Sequence, residues 1–201
     1  MGKLSYIYGT MNSAKTTAAL TSEHCYRENG RNTIILKPNT DIRDGKYGHL
    51  EFGPIKSRLI RTGPKALYLE PTKFSDAADF IKGKDIVFVD EVQFLSKKDV
   101  WWLSDIVDGS VTGKSVPVVC YGLKTDAEGN LFEGSEAMLA VADELEERRS
   151  VCSFCGKRAT MHIRTSGEVG LVGAEGCEGN GITYKSVCRS CFKKYQKGLL
   201  K

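Results

Sequence analysis

The period of apolar and polar positions changes along the N-terminal part of the chain. Leu4–Tyr8 is a short run of β-type residues, and Gly9–Ala14 follows it as a polar loop that begins with glycine. Lys15–Asn29 has the composition of a helix and ends at Gly30, the residue type that most often terminates one. Thr33–Lys37 is a second apolar run of strand length. The order strand, loop, helix, strand predicts the beginning of an α/β fold.

Later segments continue this alternation. Ile86–Val89 is uninterruptedly apolar, which is typical of a parallel strand buried on both faces, and Val116–Leu123 is a further buried strand. Between them, Ser96 and Asp99 form a capping-box start for a helix with apolar positions at helical spacing. These elements predict a parallel-sheet core. The remaining segments are an expected helix at Phe74–Lys82 and an irregular stretch at 38–71 with only short strand candidates.

The composition changes near Ser150. Seven of the 32 residues at 156–187 are glycine, and two Cys-x-x-Cys pairs bracket this stretch. We therefore expect two domains, an α/β domain at 1–149 and a small domain at 150–201. Glycine supplies little side-chain bulk, so the glycine-rich stretch is expected to be a mobile loop.

Charge and cysteine content narrow the classes of function. The net charge is +4, from 29 basic and 25 acidic residues, which is too weak to indicate nucleic acid as the main partner. No apolar run is long enough for a membrane span, so no membrane partner is expected. The seven cysteines are an odd number, and four form Cys-x-x-Cys pairs, a pattern typical of metal ligands in a cytoplasmic protein.

A phosphate-binding motif occupies the first loop. Residues 9–16, Gly-Thr-Met-Asn-Ser-Ala-Lys-Thr, have the spacing GxxxxGK[ST] with Ala14 in place of the last glycine. The motif follows a strand and begins a helix, so backbone N–H groups and the helix N-terminus can bind an anion. Lys15 is expected to reach the β- and γ-phosphates of ATP and the Thr16 hydroxyl to bind Mg²⁺.

Two acidic residues, Asp90 and Glu91, come directly after the buried run Ile86–Val89. A carboxylate in this place holds Mg²⁺ in P-loop proteins, and the next one can lie beside the nucleophile. In a kinase, Glu91 accepts a proton from a substrate hydroxyl. In an ATPase acting on nucleic acid, it orients water. The two motifs do not separate these alternatives.

The two cysteine pairs, Cys152/Cys155 and Cys188/Cys191, offer four thiolates to one ion. Four cysteines fill the tetrahedral coordination of Zn²⁺ and leave no open position, so we expect a structural zinc site. The alternative is a zinc ribbon that binds nucleic acid, supported by the basic C-terminal end of the chain.

The order of these features resembles that of the zinc-containing thymidine kinases, over nearly the whole chain. The similar motifs are the phosphate loop Gly9–Thr17, Asp41-Ile42-Arg43 after the second strand, Asp90–Phe94, and Tyr184–Cys191. The resemblance implies an α/β fold, with a P-loop parallel-sheet core and a small zinc-binding lasso domain. It also implies a thymidine kinase that uses ATP with Mg²⁺, is inhibited by dTTP, is homotetrameric and is cytoplasmic. A zinc-ribbon P-loop ATPase acting on nucleic acid remains the alternative.

The resemblance also implies roles for single residues. Glu91 is the expected general base, and the glycine-rich stretch is the expected lasso that closes over thymidine through main-chain hydrogen bonds. The expected contacts to ATP and Mg²⁺ are Gly9, Thr10, Met11, Asn12, Ser13, Ala14, Lys15, Thr16, Asp41, Arg43, Asp90 and Gln93. The expected contacts to the nucleoside are Met11, Phe94, Leu123, Phe132 and Tyr184, and the expected zinc ligands are Cys152, Cys155, Cys188 and Cys191.

Overall fold

The structure is a computed structural model that describes residues 2–40, 44–57, 60, 63–165 and 183–200. Its strands are β1 (Leu4–Gly9), β2 (Thr33–Pro38), β3 (Glu51–Pro54), β4 (Lys65–Leu69), β5 (Ile86–Val89), β6 (Val118–Leu123), β7 (Glu144–Arg148), β8 (Ser150–Val151), β9 (Arg158–Ala159), β10 (Met161–Arg164) and β11 (Tyr184–Val187). Its helices are α1 (Lys15–Glu28), α2 (Ala78–Ile81), α3 (Lys97–Asp108), α4 (Glu133–Val141) and α5 (Arg189–Gln196). None of the helices in these ranges is long and apolar enough to cross a membrane.

A seven-stranded sheet in the order β3-β4-β2-β5-β6-β1-β7 forms the centre of the fold. Every neighbouring pair is parallel except β3 and β4, which are antiparallel. Helix α1 packs on one face, where Ala19 and Leu20 join a core with Ile35 and Phe88. Helices α2, α3 and α4 pack on the other face, so both faces of the sheet are covered. The predicted α/β class is confirmed.

The registers bring the functional segments to one edge of the sheet. Gly9, the last residue of β1, lies opposite Leu123, the last residue of β6. Val89, the last residue of β5, lies opposite Cys120 of β6 and Leu36 of β2. Because parallel strands end on the same side, the segments that follow β1, β5 and β6 meet there.

Several elements differ from the sequence-based expectation. The segment expected to be one helix at Phe74–Lys82 is a 3₁₀ turn at Phe74–Ala77 followed by α2. The strand expected at Val116–Leu123 begins at Val118, after Pro117, which has no N–H to donate to the sheet. The segment expected to be irregular contributes β3 and β4 to the central sheet.

Residues after β7 form a smaller group of elements with its own core. Strands β8 and β9 pair antiparallel, as do β10 and β11, and α5 packs on β10. The core residues are Cys152, Ala159, Ile163, Val187, Cys191 and Phe192. The division of the chain between residues 149 and 150 stays a prediction.

Helix α3 begins at the expected capping box. The Ser96 hydroxyl accepts from Asp99 N at 3.2 Å, and Asp99 Oδ2 accepts from Ser96 N at 3.2 Å. The same carboxylate accepts from Thr72 N at 2.8 Å and from Phe74 N at 3.1 Å. Asp99 therefore joins the start of α3 to the turn that precedes α2.

We predict that Asp99→Ala lowers the free energy of unfolding by about 2–4 kcal/mol, because the backbone N–H groups of Thr72 and Phe74 lose their acceptor. Urea denaturation measures the change. Asp105→Ala, on an exposed position of the same helix, is the matched control and should stay within about 0.5 kcal/mol of the parent. Equal losses in the two variants would contradict the prediction.

Candidate active site

The phosphate loop contains two residues with left-handed backbone. Asn12 has φ 63°, and Ala14 has φ 58° and ψ 33°, immediately before α1 begins at Lys15. Glycine adopts this conformation without strain, and alanine does so at a cost of roughly 1–2 kcal/mol. Ala14 is exposed, so its methyl group is not packed in the core. The loop therefore keeps its turn although it lacks the last glycine of the motif.

Short hydrogen bonds close the loop. Ser13 Oγ donates to Thr10 O at 2.9 Å, and Lys15 Nζ donates to Thr10 O at 2.7 Å. Gly9 has no room for a side chain, because a Cβ atom would lie 2.5 Å from Ser13 Oγ and 2.9 Å from Arg148 O. The first glycine of the motif thus allows close packing of the loop against β7.

Thr16 and Asp90 meet beside the loop. Thr16 Oγ1 donates to Asp90 Oδ2 at 3.2 Å, so the hydroxyl and the carboxylate expected to bind Mg²⁺ are next to each other. Both are oxygen donors, the kind of ligand that Mg²⁺ requires. The expected magnesium ligands Thr16 and Asp90 therefore form a donor set that fits the ion.

A buried lysine lies behind Asp90. Lys37 is 1% exposed, forms an ion pair with Asp44, and has its Nζ 4.0 Å from Asp90 Oδ2. Tyr68 OH donates to Asp44 Oδ2 at 3.2 Å, and burial raises the pKa of this phenol, so it stays a donor at neutral pH. Sequence analysis missed Lys37, although a lysine within the apolar strand β2 is a detectable signal.

Glu91 follows Asp90 in a strained conformation. Its φ is 57°, in the left-handed region, and its residue exposure is 7%. Gln93 Nε2 donates to Glu91 Oε2 at 2.5 Å, and Gln93 Oε1 accepts from Leu123 N at 3.0 Å. Buried carboxylates need such donors, because an unpaired charge away from water is strongly unfavourable.

An apolar cluster is connected to Glu91 through Gln93, which bonds to both Glu91 and Leu123. Met11 and Leu123 are buried, and Phe132 and Tyr184 pack against them. The rings of Phe94 and Phe132 are 5.8 Å apart between centroids, in an edge-to-face arrangement. The structure thus brings together all five residues expected to contact the nucleoside, from five different segments of the chain.

Strand β11 holds the smaller group of elements against the phosphate loop. Ser186 Oγ donates to Met11 O at 2.5 Å and lies 3.0 Å from Thr10 Oγ1, while Asn12 Nδ2 donates to Tyr184 O at 3.4 Å. These contacts join segments more than 170 positions apart. Sequence analysis could not find these contacts, because single polar residues so far apart in the chain form no periodic pattern.

A buried histidine on β10 was also missed. His162 lies opposite Ser186 in the hairpin, its ring centroid is 6.1 Å from that of Tyr184, and burial lowers its pKa to about 4. Its Nε2 atom has no hydrogen-bond partner among the described residues. The imidazole is therefore neutral at physiological pH and borders the apolar cluster.

The four cysteines converge as expected. The sulfur atoms of Cys152, Cys155, Cys188 and Cys191 lie within 4.8 Å of one another, and the Sγ atoms of Cys155 and Cys188 are 3.7 Å apart. Around a tetrahedral ion with metal–sulfur bonds of about 2.3 Å, sulfur atoms are about 3.8 Å apart. The cluster therefore fits one metal ion.

The backbone favours the thiolate form at one of these cysteines. The N–H of Cys191 donates to Cys188 Sγ at 3.5 Å, and this contact lowers the pKa of Cys188. A metal ion binds the thiolate, so the hydrogen bond supports coordination. Of the other expected site residues, Asp41 and Arg43 lie outside the described residues. Residues 166–182 of the expected lasso at 156–187 also lie outside them. The described residues of that stretch include β9, β10 and β11, so the expectation of a loop throughout 156–187 is wrong there.

We predict that Ala14→Gly raises the free energy of unfolding by about 0.5–1 kcal/mol. Relief of the left-handed strain exceeds the extra chain entropy of glycine in the unfolded state. Ala18→Gly, inside α1, is the matched control and should lose about 0.5–1 kcal/mol. Urea denaturation of both variants decides the question, and a loss of stability at both positions would contradict the strain argument.

Comparison with known proteins agrees with this geometry. A model of the family described as thymidine kinase matches residues 2–192. A thymidine kinase of Xanthomonas oryzae pv. oryzae is 40% identical over 98% of this chain and 92% of its own length. A thymidine kinase of Haemophilus influenzae is 39% identical over 96% of this chain and 97% of its own length, and one of Rhodopirellula baltica is 39% identical over 98% and 92%. With its phosphate loop, buried carboxylates and cysteine cluster in place, the chain belongs to the thymidine kinase family.

Proposed function

We propose that the chain transfers the γ-phosphoryl group of ATP to the 5′-hydroxyl of thymidine, the activity after which its family is named. The observation that carries the proposal is the position of Glu91. Glu91 directly follows Asp90, and Asp90 contacts Thr16 of the phosphate loop. The buried carboxylate of Glu91 is connected through Gln93 to Leu123 of the apolar cluster. A base between a phosphate site and a nucleoside pocket is what transfer to a hydroxyl requires.

The phosphate side of the site uses backbone and cationic groups. The N–H groups of residues 9–16 and the N-terminus of α1 bind the phosphates, and Lys15 neutralises their charge. Thr16 and Asp90 would hold Mg²⁺, which when bound with ATP neutralises charge on the phosphate oxygens. Asp41 and Arg43 are assigned to the same side on the resemblance alone.

The acceptor side uses the apolar cluster to bind the base of thymidine. Met11, Leu123, Phe132 and Tyr184 form this cluster, and Gln93 links Leu123 to Glu91. Glu91 then accepts the proton of the 5′-hydroxyl as the oxygen attacks the γ-phosphorus and ADP leaves. Exclusion of water also limits transfer of the phosphoryl group to water instead of to thymidine.

The remaining parts of the proposal concern the metal and the assembly. The ion of the cysteine cluster is Zn²⁺ with a structural role, since four thiolates leave no open coordination position. The assignment of the glycine-rich stretch at 156–187 as a lasso over thymidine is proposed from the family resemblance. Feedback inhibition by dTTP, a homotetramer and a cytoplasmic location are proposed from the family resemblance.

We predict thymidine-dependent release of ADP by the purified protein in an assay that compares nucleosides and single-stranded DNA. Glu91→Gln should lower kcat by about 10²–10⁴-fold, because the amide keeps the shape but accepts no proton. Binding of ATP and thymidine, measured by calorimetry, should persist in the variant. DNA-dependent release of ADP would favour the nucleic-acid ATPase, and near-normal kcat in Glu91→Gln would refute the role of the base.

We also predict one zinc ion per chain, bound by the four cysteines. Cys188→Ser should abolish stoichiometric zinc and thymidine binding, because Cys188 directly follows β11, the strand that begins with Tyr184 of the pocket. Cys25→Ser, on an exposed position of α1, is the control and should keep both. Elemental analysis measures the zinc, and metal-free parent protein that binds thymidine would contradict the prediction.

A further inference from the structure

Gln93 is a buried polar side chain whose two ends contact different parts of the site. It is 2% exposed and lies in a short 3₁₀ turn at Val92–Phe94. Its Oε1 atom accepts from Leu123 N at 3.0 Å, and its Nε2 atom donates to Glu91 Oε2 at 2.5 Å. The sequence motif suggested a contact to ATP or Mg²⁺, whereas the side chain contacts the carboxylate and the end of β6.

The orientation of the carboxamide follows from its partners. A backbone N–H can only donate, so the atom that faces Leu123 N must be the oxygen. The NH₂ group therefore faces Glu91, whose ionised carboxylate can only accept. With the opposite orientation, two donors would meet at Leu123 and two acceptors at Glu91. The partners thus fix which way the amide points.

The end of β6 is a rigid anchor for this amide. Leu123 O accepts from Tyr6 OH at 2.6 Å and from Ser135 Oγ at 2.6 Å, so the peptide is held from β1 and α4. Gly122 makes room for the amide, because a Cβ atom there would lie 2.7 Å from Gln93 Oε1. Gln93 therefore connects Glu91 to a part of the sheet that is itself fixed by buried hydrogen bonds.

We propose that Gln93 is a positioning residue for Glu91, holding the plane of the carboxylate in place and stabilising the ionised form that accepts the proton. The proposal rests on the proposed role of Glu91 as general base. A charge-assisted hydrogen bond to a carboxylate is roughly twice as strong as a neutral one and favours the ionised form. Glu91 has a left-handed backbone and lies outside regular secondary structure, so the hydrogen bond from Gln93 is also needed to orient the Glu91 side chain.

Two isosteric variants separate the two contacts of Gln93. Gln93→Glu keeps an acceptor for Leu123 N but replaces the donor to Glu91 with a second carboxylate. Gln93→Met keeps the length of the side chain and removes both contacts. Gln196→Met is the matched control, because the only other glutamine of the chain is exposed at the end of α5.

In Gln93→Glu, two buried carboxylates in contact share a proton, which raises the pKa of the pair. We expect kcat at pH 7 to fall about 10- to 100-fold, the usual effect of losing an orienting partner. The acid limb of the kcat–pH profile should move up by about one pH unit or more. The KM for ATP should stay within about threefold, since no phosphate contact is lost, and the zinc content should match the parent.

Other titratable groups near this turn are unchanged in the variants, so they cannot cause the shift. In the described residues, the elements packed against the turn are β2, β6 and α4, and Tyr6 of β1 interacts electrostatically with Glu91. Their titratable groups are Tyr6, Lys37, Cys120, Tyr121, Glu133 and Glu136, together with Asp90 beside Glu91 in the chain.

Kinetics of the variants, with Glu91→Gln in parallel, decide the proposal. A kcat within twofold of the parent and an unshifted acid limb in Gln93→Glu would overturn it and leave Gln93 only its contact to Leu123. A tenfold rise in the KM for ATP with unchanged kcat would overturn it in favour of a nucleotide contact. If Gln93→Met does not fold, Gln93→Glu carries the test. Near-normal kcat in Glu91→Gln would refute the base itself, a result distinguishable from failure at Gln93 alone.

Discussion

The parallel pairing of β1, β5 and β6 is the constraint on which the candidate site depends. Gly9 and Leu123 end their strands opposite each other, and Val89 ends beside Cys120. Each strand end continues into a chemically different segment: the phosphate loop, the Asp90–Glu91 pair and the wall of the apolar cluster. Parallel strands must end on one side, so the ladder of backbone hydrogen bonds alone brings these segments together. The helices on both faces keep water away from that ladder.

Backbone strain is concentrated at this edge. The described residues include five non-glycine residues with positive φ, and three of them, Asn12, Ala14 and Glu91, belong to the phosphate loop or follow β5. A strained backbone conformation persists only where surrounding contacts hold it in place. Here the hydrogen bond from Ser13 to Thr10 closes the phosphate loop, and the amide of Gln93 holds the side chain of Glu91. The strain therefore marks the places where the chain leaves regular structure in order to present functional groups.

Local patterns predicted the elements next to the phosphate site. The strand Leu4–Tyr8, the loop and α1 follow from composition and glycine placement, and the capping box at Ser96 and Asp99 is confirmed bond by bond. Strand β7 could not be predicted, because its sequence Glu-Leu-Glu-Glu-Arg is charged and lacks β-branched residues. It forms an edge strand, where charged side chains face solvent. Its pairing with β1 is a long-range effect that no local propensity encodes.

The site was predictable in its residue types but not in its connections. The loop, the two acids and the four cysteines each carry a motif, whereas the contact between Gln93 and Leu123, which are 30 positions apart, leaves no signal in the sequence. Lys37 was detectable only as an anomaly, a lysine inside an apolar strand. Motifs thus identify groups that act on ligands, and the tertiary structure is needed to find the groups that hold them.

Strand β11 connects the cysteine cluster to two other parts of the candidate site. Within five consecutive residues, Tyr184 packs in the apolar cluster, Ser186 bonds to the phosphate loop, and Cys188 joins the cysteine cluster. Tyr184 and Ser186 point to the same face because strand residues alternate, while Val187 on the other face lies in the core with Cys152 and Cys191. An ion at the cysteines would therefore hold the residue that follows this strand, while the other end of the strand lies at the apolar cluster. The hydroxyl contacts to Thr10 and Met11 then set the distance between that wall and the phosphates. One short strand thereby connects the cysteine cluster, the apolar cluster and the phosphate loop through direct contacts.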